Sequence, residues 1–237
     1  MAVEGLVELP YAVPNQTVEQ HRLDLDIPVS VWRTTGHGAN NFLVECFVDE
    51  LAAAAKQEPL AYRRSLLQMD ARARNVLDLA AEKSGWGWPA GDGLARGIAL
   101  AKAFGGYIAA AAEVSVKESK VKVVRITLAA DCGRILDPGI ATSNLEGGAV
   151  WGLSAMKTEI TFDRGRAMQS NFHMFEPLHA WETPRIDVHF VASEDKPGGT
   201  GELGPVPIPA AVCNAIFAAT GKRIRSLPLS RAGLSFA

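Results

Sequence analysis

A single carboxylate, Glu202, stands in the stretch 198-GGTGELGPVPIP-209, among four glycines and three prolines. The glycines let the backbone take positive φ or come close to a ligand. Pro205, Pro207 and Pro209 stiffen the exit and suit the start of a helix. A carboxylate presented this way is placed to act as a general base. The ordinary alternative is a solvated turn carboxylate, since most Glu side chains are exposed. A second glycine-bearing loop, 32-WRTTGHGANNF-42, also leads into a helical pattern. Its N–H groups suit an oxyanion or a substrate carbonyl. Arg33 either aims at a substrate or anchors the loop through an ion pair. The ordinary reading of this loop is a capped helix entry, with Asn40 or Asn41 as N-cap. His37, alone beside glycine, reads as a hydrogen-bonding loop residue rather than a metal ligand.

Other candidate chemistry is weaker. In 131-DCGRILDP-138, Asp131 and Asp137 could bind a cation, but Arg134 lies between them and a third carboxylate is missing. His173 and His179 flank 171-NFHMFEPLHAW-181 without ligand spacing. Gly147 and Gly148 interrupt a helical pattern at a cost of about 1 kcal/mol each. They imply the close approach of a neighbour or a ligand. No Ser–His–Asp arrangement, P-loop or dinucleotide fingerprint occurs.

The elements that must position these residues can be read from periodicity. Residues 1–35 read as extended segments, with Tyr11, Val13, Val18, Leu23, Leu25 and Ile27 spaced for strands. Residues 36–57 turn helical, with Leu43, Phe47, Leu51 and Ala54 on one face and Glu45, Asp49 and Lys56 elsewhere. Further helices are expected over 60–69 and over 71–85, the second ending at Gly85. The Trp/Gly/Pro loop at 86–97 separates a region 1–85, which carries the substrate-type loop, from a mixed region 86–237, which carries Glu202. Strands are expected at 97–104, 107–116 and 121–130, the last two joined by a polar turn at Lys117–Lys120. A turn and a glycine-containing helix follow over 131–156, then strands at 157–162 and 184–192, and a helix over 208–221. Helices first and strands later favour an α+β fold over a doubly wound sheet.

With 237 residues and 48% apolar content, the chain has enough material for a sizeable core. A net charge of -2 argues against nucleic acid or an anionic membrane as the main partner. The three cysteines, Cys46, Cys132 and Cys213, lie far apart, so a disulfide framework, a structural zinc site or a cysteine-ligated cluster is not expected. No signal-peptide pattern and no membrane-length apolar run is present. The expected compartment stays open between cytoplasm and periplasm.

Three stretches together resemble the xanthine dehydrogenase/aldehyde oxidase family. They are WRTTGHGANNFLVECFVDELA, DCGRILDPGIATSNLEGGAVWGLSA and PGGTGELGPVPIPAAVCNAIFAATGKRIRSLP. The similarity is to the C-terminal part of the molybdenum-binding large subunit, nearest the isoquinoline 1-oxidoreductase β-subunit and bacterial aldehyde dehydrogenase branch. The resemblance implies the fold of that cofactor-binding domain and a hydroxylase oxidising an aldehyde or N-heterocycle, with water as the oxygen source. Glu202 falls on the family's catalytic glutamate. Arg33, Thr34, Thr35 and Gly36 fall on its substrate loop, where Thr35 replaces a stacking aromatic and makes a purine substrate unexpected. His37, Asn144, Gly147, Gly148, Gly199 and Gly201 fall to the cofactor, with Asn144 in place of the usual Gln, and Leu203 replaces a Pro. The implied cofactor is molybdopterin cytosine dinucleotide carrying Mo, with no protein side chain as metal ligand. Electrons would leave through [2Fe–2S] clusters on an iron–sulfur small subunit. The family's other cofactor-binding loops are absent here. The remaining N-terminal part of the large subunit is therefore an implied partner, and the N-terminal extended segment a candidate docking strand. The contrasting reading is a non-catalytic interaction module of the same fold.

Overall fold

The computed structural model describes residues 2–24 and 29–237. Three strands form an antiparallel meander: β1 (Ala95–Ala103), β2 (Gly106–Lys117) and β3 (Lys120–Asp131). Both hairpins are tight. Phe104 and Gly105 in the first, and Glu118 and Ser119 in the second, all have positive φ, the conformation that suits the twist of two-residue hairpin loops. Two further strands, β4 (Phe162–Asp163) and β5 (Arg166–Ala167), make a separate small hairpin. The strand expected over 157–162 shrinks to β4. Next, β6 (Arg185–Phe190) adds to β3 in parallel, from Arg125↔Arg185 to Ala130↔Phe190. Finally β7 (Ser235–Phe236) pairs with the start of β3.

Helices cover both faces of this sheet, giving the mixed α+β architecture. α1 (Thr35–Ala54), α2 (Pro59–Leu66) and α3 (Ala71–Ser84) precede it; α4 (Pro138–Lys157) and α5 (Ile208–Thr220) come later. Strand alternation sorts the core. Ile98, Leu100, Tyr107 and Ala109 pack with Leu60, Val76 and Leu77 of α2 and α3. Ala99, Ala101, Ile108, Ala110 and Leu128 pack with Leu145, Leu153 and Val212 of α4 and α5. The run of alanines facing α5 lets that helix lie very close. At Gly97 a Cβ would stand 2.1 Å from Ala215 N and 2.3 Å from Ala211 O.

Caps fix the helix ends. Glu58 accepts from the Leu60 and Ala61 N–H groups, Asp70 from Ala73 and Asp137 from Ile140. Gly85, at φ 68, closes α3 as the sequence predicts. α1 differs from expectation: its N-cap is Thr34, and Asn40 and Asn41 lie inside the helix. The Asn41 amide instead donates to Leu100 O at 2.7 Å.

On α1 the stripe Leu43, Phe47 and Leu51 is exposed, while Glu45 and Asp49 are buried along with Phe42, Cys46, Val48 and Ala52. The buried charges are paired. Arg63 of α2, with no exposed surface, donates to Glu45 Oε2 at 2.9 Å and to Asp49 Oδ1 at 3.3 Å. Burial opposes its charge, but Glu45, Tyr11 and Asp49 more than offset that and hold it protonated, above the ordinary value. Tyr11 donates its hydroxyl to Glu45 Oε1 at 2.6 Å, and Arg223 donates to Asp49 Oδ2 at 2.6 Å. Glu45 Oε2 also accepts the Leu100 N–H of the edge strand β1 at 3.0 Å.

The strands expected at the N-terminus do not form. Residues 2–8 make turns, and no described residue before Ala95 lies in a strand. Leu25 and Ile27 fall outside the described residues. Tyr11 goes to Glu45 instead, because a buried carboxylate needs donors more than an exposed strand needs a neighbour.

Two substitutions test this frame. Arg63→Leu leaves Glu45 and Asp49 short of their shared cation, and urea unfolding should show a loss of about 3–5 kcal/mol. Unchanged stability would mean the cluster is solvated. Gly97→Ala forces α5 off β1 and should cost about 1–3 kcal/mol; a neutral result would show that the α5–β1 contact is looser than described.

Candidate active site

Glu202 sits where the loop before α5 meets the start of α1 and the middle of α4. The loop is fastened at its beginning. Arg134 N–H donates to Asp195 O at 2.9 Å, Gly198 N–H to Cys132 O at 2.7 Å and Gly199 N–H to Phe104 O at 3.3 Å. It is fastened at its end by close packing on α4. A Cβ at Gly148 would meet Pro205 Cδ at 2.8 Å and Gly204 Cα at 2.9 Å; one at Gly204 would meet Leu145 O at 2.7 Å. Of the two helix glycines, then, Gly148 serves the approach of the Glu202 loop. Gly147 has open space where a side chain would be. From Leu203 onward the loop is buried, while Glu202 itself is half-buried.

The start of α1 closes on the same point. Arg33 donates from Nε to the Gly201 carbonyl at 2.8 Å, and a second guanidinium nitrogen donates to the same oxygen. Thr34 N–H donates to Glu202 Oε2 at 3.2 Å. This geometry rests on strained backbone: Thr34 has φ 97 and Thr35 φ 50. Positions of this kind cost on the order of 1–3 kcal/mol each and persist only where the surroundings enforce them. Arg33 thus spends its guanidinium on the Glu202 loop, and Thr34 spends its N–H on the carboxylate.

Thr35 and Gly36 meet a residue the sequence reading missed. Glu4 accepts from the Thr35 hydroxyl and from Gly36 N–H, the latter at 3.1 Å, and these two bonds hold its carboxyl below the usual range. Asn40 braces the same segment through the carbonyls of Ala2 and Glu4. Nothing local signals Glu4, because its partners lie about thirty residues on along the chain.

His37 is buried, and its ring tilts against Phe104 at 4.8 Å. Burial lowers its pKa, partly countered by the carboxylates of Glu4, Glu8 and Glu202. Its Nδ1 has no protein partner, and neither does Asn41 Oδ1. Both residues line a cavity of about 10 Å³ under the N-terminal turns.

Three glycines of the loop and of α4 present open backbone. Gly147 and Gly201 have no neighbour at a Cβ position, and Gly199 only Phe104 at 3.8 Å. Asn144, on α4, donates to Thr200 Oγ1 at 3.4 Å. The weaker candidates are used elsewhere. Asp131 is gripped by Arg72 through two bonds of 2.7 Å, and Asp137 caps α4. Burial would raise the Asp131 carboxyl, but Arg72 and the Gly133 N–H outweigh it and keep it below its ordinary value. His179 stacks on Trp181 at 4.4 Å, well apart from this loop system in sequence. Among the described residues no group of three or more His, Cys, Asp or Glu side chains converges to hold a metal ion.

Beside Thr34 a cavity of about 390 Å³ opens between α1 and α4. Trp32 and Trp151 stand on its rim with ring centroids 5.2 Å apart. Trp32 directly precedes the predicted loop, and Trp151 follows Gly148 at helical spacing, so their place was legible in principle.

A family model for the molybdopterin cofactor-binding domain covers residues 47–184. Isoquinoline 1-oxidoreductase subunit beta of Brevundimonas diminuta is 31% identical over 225 residues, 92% of this chain and 29% of that protein. The membrane-bound aldehyde dehydrogenase (pyrroloquinoline-quinone) of Gluconacetobacter polyoxogenes is 31% identical over 219 residues, 83% of this chain and 28% of its own. The crystal structure of quinoline 2-oxidoreductase from Pseudomonas putida 86 shares the fold, with a TM-score of 0.73 at 11% identity, over 85% of this chain and 52% of that one. The chain therefore spans less than a third of the length of these two curated relatives. It belongs to the molybdopterin cofactor-binding domain family, of the xanthine dehydrogenase/aldehyde oxidase type.

Proposed function

We propose that this chain is the Glu202-bearing part of a molybdenum hydroxylase that oxidises an aldehyde or an N-heterocycle with water as the oxygen source. The observation that carries the reading is the convergence on Glu202: a half-buried carboxylate, oriented by Thr34 N–H, on a loop clamped by Arg33 and α4. A general base needs this fixed placement within hydrogen-bond reach of the proton it takes. The names of the relatives, an isoquinoline oxidoreductase and an aldehyde dehydrogenase, support the substrate classes.

The residues fit a cofactor that brings its own metal ligands. Gly147, Gly199 and Gly201 leave open backbone, and the Asn144 amide reaches Thr200 of the Glu202 loop. These residues would hold molybdopterin in its cytosine dinucleotide form. When bound, that group supplies the molybdenum redox centre that accepts electrons from the substrate. The chain's own part is to remove a proton at Glu202, to hold the base still through Arg33 and Thr34, and to shape the substrate's approach. Electrons would pass on to [2Fe–2S] clusters of a partner subunit. The rest of the large subunit would complete the cofactor site, and the exposed stripe Leu43, Phe47 and Leu51 on α1 offers it an apolar face. No helix among the described residues is long and apolar enough to cross a membrane.

Glu202→Gln keeps the shape and removes the base. In the enzyme assembled with the remaining large-subunit and iron–sulfur parts, kcat should fall by about 10²–10⁴-fold, with molybdenum content unchanged. Turnover near that of the unsubstituted enzyme would exclude Glu202 as the base.

A further inference from the structure

A second large cavity lies away from Glu202. Its volume, about 340 Å³, is that of a small-molecule site, and it opens where the far ends of α1 and α5 meet the start of β1. None of the residues that hold Glu202 lines it. Asp49, in its wall, stands roughly 20 Å along α1 from Thr35 at 1.5 Å per residue. Trp86 and Phe217 give the cavity aromatic surface, and both are held in place. The Trp86 indole donates to Glu58 Oε1 at 2.7 Å, and the Arg223 guanidinium lies 3.2 Å from the centre of the Phe217 ring.

The polar groups of the wall decide what could enter. Its charges are already matched. Asp49 accepts from Arg63 on Oδ1 at 3.3 Å and from Arg223 on Oδ2 at 2.6 Å. Arg96 donates to Glu113 Oε1 at 2.7 Å, to Gly85 O at 2.8 Å and to Trp88 O at 2.6 Å. An ion of either sign would lose its water here and find no unpaired charge. Hydrogen-bond acceptors, in contrast, are left over. Asn214 is only 3% exposed, and its Nδ2 donates to Glu45 O at 3.3 Å and to Ile98 O at 3.1 Å. Its Oδ1 accepts no hydrogen bond among the described residues. A buried amide oxygen without a donor is costly, and an N–H brought in by a ligand removes that cost. The Asp49 carboxylate also keeps lone pairs beyond its two bonds.

We propose that this cavity binds a neutral planar ring bearing N–H groups, of the nucleobase kind, at a site separate from the one around Glu202. The ring lies against Trp86 and Phe217, where a flat body gains burial and aromatic contact. Its N–H groups donate to Asn214 Oδ1 and to Asp49. Bound there, it joins α1, β1 and α5 at the end remote from the Glu202 loop.

Adenine is the probe. Calorimetric titration should show one adenine bound per chain, both in the full chain and in the enzyme assembled with the rest of the large subunit. Purine, the same ring without the amino group, should bind at least tenfold more weakly, as expected where a site built for a hydrogen bond loses it. Trp86→Leu should weaken adenine by about tenfold. Ala218→Trp places bulk in the cavity from an exposed position, so it leaves the core intact and should abolish binding; it carries the test where Trp86→Leu does not fold. Absent binding, purine as tight as adenine, or adenine binding unchanged in Ala218→Trp overturns the proposal. Binding to the chain that is lost in the assembled enzyme overturns it too, because the rest of the large subunit then fills the cavity.

Discussion

The buried Glu45 carboxylate is the interaction on which the rest of this structure depends. It is 1% exposed, and its two oxygens take donors from three directions: Tyr11 from the N-terminal segment, Arg63 from α2 and Leu100 N–H from β1. A buried charge without such partners would be prohibitive, so α1 cannot rotate about its axis. The edge of the sheet benefits in turn. β1 is the outer strand, and its free backbone groups are met by Glu45, by Asn41 and by Asn214, which donates to Ile98 O at 3.1 Å. An edge that would otherwise invite pairing with another chain is closed by side chains.

Fixing α1 in this way fixes its first turn, and through it the Glu202 carboxylate. Thr34 and Thr35 are held with positive φ, and the space for this comes from Gly38, where a Cβ would fall 2.2 Å from Thr34 Oγ1. The Glu202 loop is placed by the same logic from the other side. Gly148 and Gly204 bring backbone against backbone, which leaves little room for the loop to shift. A carboxylate on a glycine-rich loop would ordinarily wander. Here the glycines are contact points, and the guanidinium of Arg33 bridges the two halves through Gly201 O.

The regular elements were legible because their signals are local. The meander β1 to β3, the helix that ends at Gly85 and the helix after Pro207 follow from alternation, periodicity and caps within a few residues. Glu202 was legible for a related reason: one carboxylate in a Gly/Pro frame is unusual wherever it stands. The orientation of α1 was not. Apolar residues occur on both of its faces, and the partners of Phe42, Cys46 and Val48 in the core and of Glu45 and Asp49 in Arg63 and Arg223, all distant in sequence, decide which face goes inside. The N-terminal segment misled for the same reason, since Tyr11 has the spacing of a strand residue but is claimed by Glu45. Glu4 on the loop of Thr35 and Gly36 belongs to this class too.

Burying the charged face of α1 has a price at its surface. Leu43, Phe47 and Leu51 follow one another at i, i+4 and i+8, and Phe47 is 58% exposed. A single exposed leucine means little, but a contiguous apolar stripe on a helix marks a surface for contact. Leu43 belongs both to this stripe and to the wall of the cavity beside Glu202. Whatever covers the stripe therefore also roofs that cavity. A surface that covered this stripe would also shut water out of the cavity between α1 and α4.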